Sequence, residues 1–190
     1  MDRMEFKKII KVTKLKKIGD NEDLSTAYHE AGHALINLLY GIPSKEVSII
    51  PNEVQNSLGH NESEWHDTNE HYDFTSYIGD LEDWSVQKQL DYLVSVSMAG
   101  IIGQAFYIGK YNWPGAVRDF ERIIDHFFGY GITDVQNLQA YWDKTFELIS
   151  NNNSALISIA NDLYKFKILD AKYFKSLSQR NGMLRLKTFL

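Results

Sequence analysis

Residues 26–41 read TAYHEAGHALINLLYG, and within them His29, Glu30 and His33 interrupt a run of alanine and leucine. The spacing is His-Glu-x-x-His. On a helix, positions i and i+4 lie one turn apart on the same face, so two imidazoles there can grip one metal ion. The neighbouring Glu30 carboxylate falls on the side of such a metal where a bound water would sit. Zinc lowers the pKa of that water to about 7, and a carboxylate can take its proton as the water attacks a peptide carbonyl. Ala27, Ala31, Ala34, Leu35 and Leu38 make the inward side apolar, so the group lies in a helical core. Two histidines satisfied in a core would each need another polar partner, and would leave a carboxylate buried beside them at high cost. Gly32 costs the helix about 1 kcal/mol against alanine, and close approach of another backbone would justify it.

Outward from this motif the pattern is mainly helical. The first helix starts near Asp23, with Asn21 or Asp23 as N-cap, and stops at Gly41 with Pro43 beyond. KEVSII, residues 45–50, is short and rich in branched side chains, and reads as a strand. Residues 52–80 are polar and irregular and read as a loop. Helical periodicity returns over 81–108, where Gly100 and Gly103 would admit another helix closely. GKYNWPGA, residues 109–116, is a turn, and helices are expected over 117–128, 133–151, 153–166 and 170–178. The fold class is mainly α with a minor β-strand or hairpin, arranged as a helical bundle.

The chain has 190 residues, 44% of them hydrophobic and 24% charged, with a net charge of -5. That length suits one globular domain, and the charge argues against nucleic acid as the main partner. A basic segment over 1–22 precedes the domain at 23–180, and a tail follows at 181–190. With no cysteine, disulfides and thiolate metal sites are ruled out. The stretch 93–109 is broken by Ser95, Ser97 and Gln104 and falls short of a membrane span, which needs about 20 apolar residues. It reads as a buried core helix. The start of the chain has no signal-peptide h-region. A cytoplasmic protein without a transmembrane segment is expected.

A catalytic zinc site takes three protein ligands and keeps one position open. Asp119, Asp125, His126, His60, His66 and His71 are the candidates for the third. Asp119 sits in the first turns of a helix, where backbone geometry fixes it. The three loop histidines lie on the polar stretch, and His126 is two turns beyond Asp119. Spacing does not choose among them.

The string STAYHEAGHALINLLYGIPSKEVSIIP resembles the peptidase domain of the FtsH family, the membrane-anchored AAA zinc proteases, whose motif reads TAYHEAGHA followed by a short strand ending IIP. LVSVSMAGIIGQAFYIG, PGAVRDFERII and ELISNNNSALISIANDLYKFKILDAKYFKSL resemble later segments of that domain in the same order, covering about residues 24–178. The resemblance implies a zincin-like fold with zinc held by His29, His33 and Asp119, and with Glu30 as the catalytic glutamate. It also implies that the strand carrying Val47, Ile49 and Ile50 offers an edge to an extended substrate, by backbone pairing. The chain departs from the family in several places. No G-x-x-x-x-G-K-[ST] motif occurs, so ATP dependence and a hexameric ring do not carry over. Ala99-Gly100 stands for the double glycine, Ile101 for the arginine, Gly103-Gln104 for the alanine-glutamate pair, and Arg118 for the asparagine before the aspartate. The expected activity is a zinc-dependent metalloendopeptidase acting on unfolded or extended polypeptide, with room for a separate AAA partner chain or an oligomer. The alternative is a non-catalytic peptide-binding or adaptor protein that retains the fold. Intact Glu30 favours the enzyme, because pure binding needs no general base.

Overall fold

The computed structural model describes residues 6, 8–42, 44–51, 57–63, 84–132 and 137–179. Among them the chain is mainly helical, with a small three-stranded sheet. Helix α1 spans Glu22–Leu39. The Asn21 side chain caps it by accepting from Leu24 N at 2.8 Å, and Glu22 and Asp23 in its first turn face the positive end of the helix dipole. Gly41 turns the chain out at φ +77°, where a side chain would be strained. Beyond the first turn nearly every residue of α1 is buried, so the helix is the central post of the fold.

Helix α2, Val86–Ile108, packs along it. Ser85 caps its start, and Gly109 ends it in the left-handed region. α2 has the length and composition of a membrane span, but 78% of its apolar window is buried inside the protein. The helix thus does not fall short of a span as expected, and its burial is what marks it as a core helix. The two helices meet where their side chains vanish. A Cβ on Gly32 would collide with the Ala99 carbonyl oxygen, and one on Gly103 would come within 2.6 Å of Tyr28 O. Gly32 and Gly103 thus admit a close backbone as expected, whereas Gly100 faces the side chains of His29 and His33.

A 3-10 turn at Trp113–Ala116 leads into α3, Val117–Gly129. Phe120, Ile123 and Phe127 bury one face of α3. Helices α4, Asn137–Asn151, and α5, Asn153–Phe166, are separated at Asn152, whose side-chain amide donates back to Leu148 O. Strand β3, Ile168–Asp170, and helix α6, Ala171–Gln179, follow. The segment before α1 is joined to this core. Phe6 is fully buried, edge-on to Trp113, Phe120 and Trp142, and Ile18 N donates to Tyr107 O.

The sheet corrects two expectations. Strands β1, Ser44–Ser48, and β2, His60–Ser63, pair antiparallel, and β3 pairs antiparallel on the other side of β1. β2 lies inside the stretch expected to be loop. Its sequence, His-Asn-Glu-Ser, has no apolar alternation, as befits a strand that is outermost among the described residues. β1 is consequently central, not an edge. Val47 sits opposite both Asn61 and Leu169, and Ile49 N donates to Lys167 O. A run of branched residues with buried Val47 and Ile49 marks a strand covered on its flanks. Ile50 lies past the end of β1, half exposed, with its N–H held by Ser48 Oγ. None of the three offers a free ladder edge. His66, His71 and the tail at 181–190 lie outside the described residues.

Candidate metal centre

His29 and His33 stand one turn apart on α1 with their rings nearly perpendicular. α3, packed on α2, delivers Asp119, 5% exposed, to both of them. His29 Nε2 lies 3.0 Å from Asp119 Oδ2, His33 Nε2 lies 3.5 Å from Asp119 Oδ1, and the two Nε2 atoms are 3.2 Å apart. Ligands about 2.0–2.2 Å from a tetrahedral ion stand about 3.4 Å from one another. The observed separations bracket that spacing, so the donor set fits a metal of this kind. Among the described residues, His29, His33 and Asp119 form the group able to hold a metal ion.

The ring orientations are fixed from behind. His33 Nδ1 lies 2.7 Å from Val96 O on α2. A carbonyl oxygen only accepts, so Nδ1 carries the proton and Nε2 turns its lone pair to the site, the arrangement that metal-bound histidines need. Gly100 floors the pair: a Cβ there would strike both rings.

The electrostatics prepare the same states. Burial, joined by the His29 charge, pulls His33 down to about 4 against Asp119 and the Val96 bond, so its ring is neutral. Burial opposes charge on His29 too, but Asp119, by its charge and its hydrogen bond, outweighs it and raises the pKa. Burial also works against the Asp119 carboxylate, yet His33 and His29 together hold it down at about 2. With no metal bound, a proton on His29 Nε2 serves Asp119 as its hydrogen-bond partner. A cation that displaces this proton meets one anionic and two neutral ligands.

Glu30 is 6% exposed and is pushed up to about 7, chiefly by burial. The chain at Gly59, one residue before β2, presses against it. A Cβ there would fall 2.8 Å from Glu30 Oε1 and 2.7 Å from Ser48 O. Glu30, the metal group and the start of β2 line one cavity of about 670 Å³, to which α3 contributes Arg118, Arg122 and His126.

The sequence candidates separate cleanly. His29, Glu30, His33 and Asp119 come together. Asp125 is exposed on α3. His126 is buried and lines the cavity but stands apart from the convergent group. His60 Nε2 is engaged by Glu46 Oε1 at 3.1 Å across the β1–β2 ladder. Gln104 donates to Ser25 Oγ at 2.9 Å.

Two contributors were missed. Arg122 sits one turn beyond Asp119, and its charge bears on Asp119, His29, His33 and Glu30; the i, i+3 spacing was the available signal. Asn37 sits one turn beyond His33 at 3% exposure, and a polar residue among Leu35, Ile36, Leu38 and Leu39 was the signal there. No protein-family model matches this chain, and no curated protein matches it.

Proposed function

We propose that this chain is a zinc metallopeptidase with the peptidase fold of the FtsH family, acting on extended or unfolded polypeptide. The observation that carries the reading is the convergence of His29, His33 and Asp119 at tetrahedral ligand spacing, with a buried carboxylate next to the first histidine. Zinc bound there would supply Lewis acidity, polarising a carbonyl and easing loss of a proton from water. The chain's own groups do the remainder. His29, His33 and Asp119 hold the ion, and the Val96 carbonyl keeps the His33 lone pair aimed at it. Glu30, with a proton affinity raised by burial to about 7, accepts a proton from the attacking water and returns it to the leaving amine. A core histidine pair would explain neither the carboxylate beside it nor the third ligand opposite. A cytoplasmic setting is part of the same proposal.

The test is elemental analysis of the purified chain beside Asp119→Ala, followed by cleavage of an unstructured peptide. About one zinc per chain, weakened in the variant, and zinc-dependent cleavage are expected. Zinc without cleavage would favour a peptide-binding module, and no zinc after reconstitution would overturn the metal reading.

A further inference from the structure

Asp119 is flanked on α3 by two arginines, Arg118 and Arg122, and both line the cavity that holds the metal group. They stand at i and i+4, where like charges on a helix repel. Arg118 is exposed at the cavity wall, while Arg122 is half-buried and near enough for its charge to bear on Glu30 and on all three ligands. The first turn of α3 adds to the same field. Its N-cap, Ala116, provides no side-chain acceptor, and Pro114, Gly115 and Ala116 line the same cavity. Of the carboxylates on the wall, Asp119 is engaged by the histidines, Glu30 belongs to the proton chemistry, and Glu121 stands exposed on α3 between the two arginines.

Arg118 and Arg122 both interact within the protein already, but a guanidinium offers five donors in a planar fork that fits a carboxylate two bonds at a time, so an engaged guanidinium can still take an anion. If the cavity takes polypeptide, as proposed above, the anions a substrate can bring are its carboxylates. We infer that Arg118 and Arg122 form a carboxylate-binding subsite beside the scissile position, selecting peptides that place a negative group next to the bond to be cut. That group is either the free C-terminus or an Asp or Glu side chain, and the recognition chemistry is common to both. The inference rests on the peptidase reading for its substrate class and adds the charge preference.

The experiment separates the two sources and separates this inference from the peptidase reading. The full chain carrying Glu30→Gln is loaded with zinc, so that peptides bind without turnover. Dissociation constants are measured by fluorescence anisotropy for three labelled peptides of one sequence: amidated and neutral, neutral with a free C-terminus, and amidated with one internal glutamate. One of the two charged peptides should bind about tenfold tighter than the neutral one, the scale of a charge-assisted hydrogen bond. That preference should shrink toward unity in Arg118→Gln and Arg122→Gln backgrounds that retain zinc, and should weaken with salt. Preference for the free C-terminus assigns the subsite to the chain end, and preference for glutamate assigns it to a side chain. Equal binding of all three overturns the subsite and leaves the peptidase reading standing. Failure of every peptide to bind the zinc-loaded chain overturns both. Because Arg118 is exposed, its variant should fold even where the Arg122 variant does not.

Discussion

A Cβ placed on Gly100 would lie 2.6 Å from Nε2 of His29 and would press on His33 as well. The floor of the metal group is therefore a hydrogen atom, and α2 can pass beneath two imidazoles only because position 100 has no side chain. Gly32 plays the reciprocal part, with the Ala99 carbonyl filling the space where its Cβ would be.

This arrangement separates two glycine variants that helix propensity treats alike. Replacing either glycine by alanine within a helix would normally gain about 1 kcal/mol. Here Gly32→Ala should instead destabilise by about 1–3 kcal/mol, the usual cost of overpacking, because the obstacle is backbone and cannot rotate away. Gly100→Ala meets side chains and should act first on the metal. Zinc affinity should fall at least about tenfold, the low end for a disturbed ligand shell. Urea titration of the zinc-free proteins and competition with a chromogenic chelator measure the two effects. Gly100→Ala with unaltered affinity would show that the rings do not take their positions from α2.

Glu30→Gln tests the proton transfer separately from the metal. Glutamine keeps the shape and cannot accept the proton, while His29, His33 and Asp119 remain. Turnover of a peptide should fall by about 10²–10⁴, the range for loss of a general base, with zinc content unchanged. Undiminished kcat would remove Glu30 from the chemistry.

The helical part of the fold was legible because its punctuation is local. Asn21 and Gly109 each act within one turn of the helix end they set, whereas Ser85, which caps α2, lies inside the stretch that periodicity began at 81. The first half of the site was legible for the same reason, since His29 and His33 are four residues apart. Asp119 could not be singled out by spacing, because its position depends on how α3 docks on α2, and no periodicity reports that. β2 was missed because an outer strand needs no apolar alternation, and His60, Asn61 and Glu62 look like loop to any hydrophobic pattern. The edge role expected of β1 came from the family resemblance, and β2 and β3 flank the strand on both sides. The resemblance to the FtsH peptidase domain supplied the Asp119 expectation, and the meeting of Asp119 with the two histidines is what the docked helices show.

Alkaline stability follows from two tyrosines. Burial pushes both Tyr40 and Tyr111 up to about 12, whereas an unfolded tyrosine titrates near 10. Between those values the native protein keeps phenolic protons that the unfolded chain has lost. The native state then binds more protons, so stability falls as pH rises. The contribution is intact below about pH 10 and is lost progressively through about pH 12. Urea midpoints should drop steeply across that window, and Tyr40→Phe or Tyr111→Phe should flatten the decline. A slope unchanged in both variants would assign the alkaline transition to other groups.

The last prediction concerns what holds β2 against the metal helix. Asn37 Nδ2 donates to Ser44 Oγ at 3.2 Å and to Asn61 Oδ1 at 3.3 Å, while its own Oδ1 accepts from Tyr92 OH at 3.0 Å. Ser44 Oγ closes the ring by donating to Asn61 Oδ1 at 2.9 Å. One side chain thus ties α1, α2, β1 and β2 together one turn beyond His33. Asn37→Leu should leave Tyr92, Ser44 and Asn61 short of partners and cost about 1–3 kcal/mol, more than the roughly 0.5–1.5 kcal/mol of a single lost bond in Tyr92→Phe. If the network positions β2, amide hydrogen exchange should rise selectively over residues 60–63 in Asn37→Leu, with α1 still protected. The double variant should show a coupling of about 0.5–3 kcal/mol, as for residues sharing one network. Additive costs, or exchange that rises uniformly, would reduce Asn37 to a buried polar group with no hold on the strand. The strand matters because its first turn of chain, at Gly59, is what lies against Glu30. Loosening it should therefore lower kcat without removing zinc, a pattern that loss of a ligand cannot produce.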